Sequence, residues 1–211
     1  MLMIRKFLLL SAIAVSLAPV VYAEDSEWGF DALMAALSEH PVFSADFIEL
    51  RSSFFLARPI ELKGRIEFDA DRRMEKVIFE PFSERIVIDD EAVVIHRVNE
   101  EGKAATTKTT RYALANYPFL SKAVRGVSNI FAGDRTLLEE LYEWDLKGDR
   151  DAWSLVLRPD NERLAEFITA ITVRGSGGVI NYIHSQEADG DESELALSNR
   201  TEIPRSATNV E

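Results

Sequence analysis

The chain has 211 residues, 36 acidic against 24 basic side chains, a formal net charge of −12 at pH 7 and no cysteine. A surface of this charge repels nucleic acid and anionic membranes, and no nucleic-acid partner is expected. With no disulfide possible, stability must come from an apolar core, which a 46% hydrophobic composition can supply.

Arg5 and Lys6 give a positive start, an apolar run extends from Phe7 to Val21, and Val21-Tyr22-Ala23 precedes the acidic Glu24-Asp25. This is the three-part plan of a cleavable secretion signal over residues 1–23, cut after Ala23. The apolar run is short for a spanning helix of about 20 residues, and Pro19 interrupts its end. Cleavage removes Arg5 and Lys6, so the net charge moves from −12 to −14. Residues 24–204 read as one domain and 205–211 as a polar tail. The expected location is the periplasm of a Gram-negative bacterium. The absence of cysteine leaves no lipid-attachment point, so the molecule is expected to be free there, as a monomer.

A first helix is expected from Ser26 to Ser38, where Phe30, Leu33, Met34 and Leu37 share one face and Pro41 stops the chain. The period then changes from 3.6 to 2. Phe43, Ala45 and Phe47 alternate with Ser44, Asp46 and Ile48. Ile60, Leu62, Gly64, Ile66 and Phe68 alternate with Glu61, Lys63, Arg65, Glu67 and Asp69, the cleanest amphipathic strand in the chain. Strands follow at Met74–Glu80, Arg85–Asp89 and Ala92–Val98, the last two joined by a turn at Asp89-Asp90-Glu91. Short sequential strands with no helices between them argue for an antiparallel meander.

Asn99 to Thr110 is polar and reads as a loop or long hairpin tip. In the apolar block from Ala115 to Phe131, Leu120, Val124, Val127 and Phe131 fit a helical stripe, and Thr136–Tyr142 reads as a second short helix. Strands resume at Trp144–Lys147 and Trp153–Leu157. One long strand is expected from Leu164 to Arg174, a hairpin loop at Gly175-Ser176-Gly177-Gly178, then Val179–Glu187, a turn at Asp189-Gly190-Asp191, and Ser193–Arg200.

Catalytic chemistry is missing from this pattern. His40, His96 and His184 are isolated, so no metal site is expected. Gly126-Val127-Ser128 lacks the closing glycine of a nucleophile elbow, and Gly175-Ser176-Gly177-Gly178 is not a phosphate loop. The expectation is a non-enzyme without cofactor.

Taken in order, Phe43-Ser44-Ala45-Asp46-Phe47, the stretch Pro59–Phe68, Arg72-Arg73-Met74-Glu75-Lys76 followed by Glu80-Pro81, and Ile86–Ile95 resemble the strands of the LolA-like periplasmic lipoprotein carriers. Leu157-Arg158-Pro159, Phe167–Val173, Ile180–His184 and the acidic hairpin after them agree. Two features depart from the family. Lys76 stands where an aromatic residue is common, and Phe54-Phe55 makes the loop from Arg51 to Pro59 unusually apolar.

The resemblance implies a mainly β, α+β fold: a curved antiparallel half-barrel sheet with a helical lid over a hydrophobic cavity. It implies a carrier that shields acyl chains of a lipoprotein or other lipid on the way to the outer membrane, between an inner-membrane exporter and an outer-membrane acceptor. Hiding each methylene from water is worth about 0.8 kcal/mol, so such a carrier needs an apolar hollow. The candidates for its lining are Phe47, Phe54, Phe55, Leu62, Ile66, Phe68, Met74, Ile86, Ile88 and Ile95, and for the lid Leu120, Val124, Ile130 and Phe131. The family's third strand carries an arginine that holds the lid shut, and Arg72 and Arg73 both fall there. The alternative function is a non-catalytic envelope adaptor with a filled core.

Overall fold

The computed structural model describes residues 28–39, 42–69, 71–99, 106–116, 121, 126 and 128–202. The expected secretion signal over residues 1–23, Ser26, Leu120, Val124, Val127 and the expected tail after Pro204 lie outside them. Helix α1 (Phe30–Glu39) leads into β1 (Phe43–Ser52), β2 (Ile60–Phe68), β3 (Met74–Glu80), β4 (Glu84–Ile88), β5 (Ala92–Asn99) and β6 (Thr106–Ala113). A 3₁₀ turn (Leu114–Asn116), a helix at residues 128–132 (α2) and α3 (Thr136–Leu141) come next. The chain ends in β7 (Tyr142–Gly148), β8 (Trp153–Pro159), α4 (Glu162–Ala165), β9 (Ile168–Ser176), β10 (Val179–Glu187) and β11 (Glu192–Glu202).

The eleven strands form one open, curved antiparallel sheet in the order β6-β5-β4-β3-β2-β1-β11-β10-β9-β8-β7. Every neighbour is a sequence neighbour except at the centre, where β1 pairs with β11. This long-range pairing joins the meander β1–β6 to the meander β7–β11.

Alternation sets the faces. On β1, Phe43, Ala45 and Phe47 are buried and point with Glu49 to the concave side. Opposite them on β2 stand Phe68, Ile66, Gly64 and Leu62. The helices lie over this face. Phe131 of α2 packs between Phe43 and Phe68, with ring centroids 5.4 and 5.6 Å away. Phe30 of α1 stacks on Trp144 of β7 at 4.4 Å. Each large side chain buried this way contributes about 1.5–3 kcal/mol.

Gly64 makes close packing possible at the centre. A Cβ there would lie 1.9 Å from the Val77 carbonyl oxygen and 2.8 Å from two carbons of the Phe47 ring. The β2–β3 register shifts between Lys63 and Gly64, so the backbones approach closely at this point.

Two expectations from the sequence are corrected. The segment assigned to a loop or hairpin tip from Asn99 to Thr110 instead supplies the end of β5 and most of β6, which pairs with β5 from Ala92↔Ala113 to Asn99↔Thr106. Residues 106–109 of β6 are all exposed, so no apolar alternation marks the strand; its threonines supply β propensity instead. The single strand expected from Leu164 to Arg174 begins at Ile168. Before it, Asn161 accepts a 2.9 Å hydrogen bond from the Leu164 N–H and caps α4.

Candidate functional site: an apolar hollow under α2

A cavity of about 230 Å³ lies between α2 and the concave face. Four of the expected residues line it: Ile66 of β2, Met74 of β3, and Ile130 and Phe131 of α2. The rest of its apolar wall is Ile168, Ile171, Ile183 and Leu195, from β9, β10 and β11. Sequence reasoning took its candidates from the first half of the sheet and missed this wall. Ile168 and Ile171, in the strand expected over Leu164–Arg174, were apolar signals for it, but only the β1–β11 pairing brings that strand to the same hollow.

The other candidates are placed elsewhere. Phe47, Leu62 and Phe68 are buried in the packed core and do not line the cavity. Ile86, Ile88 and Ile95 are half-buried on the meander β3–β6, where Ile95 borders a separate hollow of about 210 Å³ with Arg97, Lys108, Thr110 and Tyr112. Phe54 and Phe55 are corrected outright: they are 88% and 91% exposed. β1 ends at Ser52 and β2 begins at Ile60, so both rings sit on the connecting loop, beyond the reach of the sheet.

The structure separates the two arginines. The turn after β2 is set by Asp69, whose carboxylate accepts from the Asp71 and Arg73 N–H groups at 3.0 Å. It holds Arg72 at φ +60°. From there the Arg72 guanidinium donates to Asn129 Oδ1 of α2 at 2.9 Å and pairs with Asp134 at 2.8 Å. Asn129 is buried. Asp134 also accepts from the Thr136 N–H at the start of α3; that bond, then the Arg72 guanidinium, holds its carboxyl below the ordinary range. Arg73 turns instead to Glu75 at 3.1 Å.

One end of the cavity is polar. Lys76 runs across the Phe47 ring, 4.7 Å from its centroid, to the Glu49 carboxylate. Glu49 is only 3% exposed. It also accepts from Ser193 Oγ at 2.6 Å and from Arg51 Nε at 3.0 Å. Burial pushes the Glu49 carboxyl up, but Lys76, Arg51 and Ser193 together carry it below its ordinary value. Burial lowers the Lys76 ammonium, and Arg51 lowers it further against the pull of Glu49. Beyond this pair, between the β1–β2 loop and the β10–β11 hairpin, lies a wider hollow of about 480 Å³.

No arrangement of nucleophile, base and orienting group accompanies these hollows among the described residues. What the site offers chemically is an apolar volume, a polar end and a helix tied over it by one guanidinium.

Over residues 23–209 the chain matches the family described as outer membrane lipoprotein carrier protein LolA-like. No curated protein matches it. Similar solved structures include MucB of Pseudomonas aeruginosa in complex with MucA, at 12% identity and TM-score 0.41, covering 81% of this chain and 54% of that one. A LolA superfamily protein of Nitrosomonas europaea matches at 10% identity and TM-score 0.41, covering 82% and 94%. A putative outer membrane lipoprotein-sorting protein domain of Vibrio parahaemolyticus matches at 11% identity and TM-score 0.34, covering 83% and 92%. The chain thus spans little more than half of MucB. Identities and scores this low leave the assignment to the family match, whose members are carrier or binding proteins. The chain belongs to the outer membrane lipoprotein carrier LolA-like family.

Proposed function

We propose that this protein is a periplasmic carrier that shields an acyl chain of a lipoprotein or another lipid in the hollow beneath α2 and moves it towards the outer membrane. Arg72 holds the cover closed, and its release opens the hollow to cargo. An inner-membrane exporter and an outer-membrane acceptor stand at the two ends of the route. Residues 1–23 direct export, in keeping with a family match that starts at residue 23. The observation that carries the reading is the apolar cavity itself, walled by both halves of the sheet and bridged by Arg72 to Asn129. Native mass spectrometry of protein purified from its own envelope tests it: a bound lipid mass supports the carrier, and Ile183→Asp or Ile66→Asp should remove that mass from a folded protein.

A second reading is an adaptor with a filled core that binds an envelope partner through its acidic surface. The size of the hollow favours it, since about 230 Å³ falls below the roughly 300–1,000 Å³ of ordinary ligand pockets. A folded, lipid-free protein that takes up no acyl probe decides for the adaptor.

A further inference from the structure

The two hollows at the centre of the sheet are neighbours, since Ser185 and Ser193 line both. One is walled by isoleucine, leucine and methionine under α2. The other is bordered by Arg51, Ser52, Ser53 and the carboxylates Glu187, Asp191 and Glu192. Their boundary is the Lys76–Glu49 pair: Lys76 lines the apolar hollow and Glu49 the polar one. Keeping a charged pair in this position costs several kcal/mol per ion in desolvation, and packing alone gives no reason for it. Such a boundary suits the junction of a hydrocarbon tail with a polar head.

We propose that the two hollows form one amphiphile site, in which the tail enters under α2, the linkage beside it meets Lys76 and Ser193, and an uncharged or cationic headgroup occupies the chamber between the β1–β2 loop and the β10–β11 hairpin. This rests on the carrier reading and adds the orientation and headgroup class of the cargo. An anionic headgroup is disfavoured there. Among the described residues the one guanidinium lining the chamber, Arg51, is engaged with Glu49, and Glu192 is engaged with His184 and Gln186, while Glu187 and Asp191 remain around the space. Burial, then the neighbouring Asp189 and Asp191, push the Glu187 carboxyl up against the pull of Arg51, so the acidic groups on this hairpin already repel one another.

The test uses three amphiphiles with the same tail: dodecyl maltoside, dodecyltrimethylammonium and dodecyl sulfate. Each is titrated calorimetrically below its micelle concentration, in 0.5 M salt to screen net charge. The maltoside and the ammonium compound should bind roughly tenfold more tightly than the sulfate. Asp191→Lys should erase that preference, whereas Glu143→Lys on β7, the same charge change far from the chamber, should leave it. A nitroxide on Ser53→Cys should broaden the headgroup resonances of bound dodecyl maltoside and spare its terminal methyl. Equal affinities, an unaltered preference in Asp191→Lys, or broadening of the methyl instead overturns the proposal and leaves the carrier reading standing. Failure of all three compounds to bind overturns both.

Discussion

The Arg72 guanidinium donates a 2.9 Å hydrogen bond to the Asn129 side-chain oxygen, tying a tight turn of the sheet to a helix 57 positions further along the chain. The same guanidinium reaches Asp134 at 2.8 Å. Three segments that could otherwise separate therefore meet at one side chain.

Removing that side chain leaves the buried Asn129 oxygen without this donor. Arg72→Ala should cost about 1–2 kcal/mol of stability and speed amide exchange at residues 128–134. Arg73→Ala breaks only half-exposed pairs with Glu75 and Asp69, and should cost under about 1 kcal/mol with exchange in α2 unchanged. Hydrogen-exchange mass spectrometry separates the two; equal effects would deny Arg72 its special place.

Gly64→Ala should destabilise the fold by at least about 2 kcal/mol, because its methyl group meets the Val77 carbonyl and the Phe47 ring and neither can retreat. Urea denaturation reads this directly. A wild-type midpoint for Gly64→Ala would show that β2 and β3 can part here without loss.

Acid should act through Glu49. Its folded carboxyl lies below the ordinary value of 4.5, so its contribution to stability is fully present above that value and is lost as pH falls through the lower folded value. Stability measured from pH 6 down to pH 3 should therefore fall less steeply in Glu49→Gln/Lys76→Met than in the wild type. The single variant Lys76→Met, which leaves the buried carboxylate to Arg51 and Ser193 alone, should cost about 1–3 kcal/mol at pH 7. If the double variant falls as steeply as the wild type, the acid sensitivity originates elsewhere.

Phe54→Ser/Phe55→Ser should leave stability within about 0.5 kcal/mol and leave affinity for dodecyl maltoside unchanged, since neither ring touches the hollow. Ile183→Asp should abolish that affinity. Calorimetry on both variants, with circular dichroism to confirm folding, decides whether the loop belongs to the binding site.

The strands that face solvent on one side and the core on the other were legible in the sequence. Ile60 to Phe68 alternates without a break and forms β2 as expected. Thr106–Ala113 was not legible, because an edge strand wet on both sides carries no alternation. Arg72 and Arg73 are equivalent as letters; the Asp69 turn and a positive φ at Arg72 separate them. Half of the cavity wall was hidden for a topological reason: Ile171, Ile183 and Leu195 reach Ile66 only through the pairing of the first and last strands, which no local pattern announces. Phe54 and Phe55 misled because aromatic character alone does not tell a lining residue from an exposed tip.

That central pairing has a kinetic consequence. Asn199 donates to Asp46 across 153 positions, and β1 has no β11 to pair with until Glu192–Glu202 is available. The loop-closure entropy for this contact is among the largest the chain can incur, so assembly should be slow and should finish at the middle of the sheet. A nascent chain that still lacks residues 192–202 exposes two half-sheets, each with a bare central edge. Any factor that guards this protein before it matures must guard those edges.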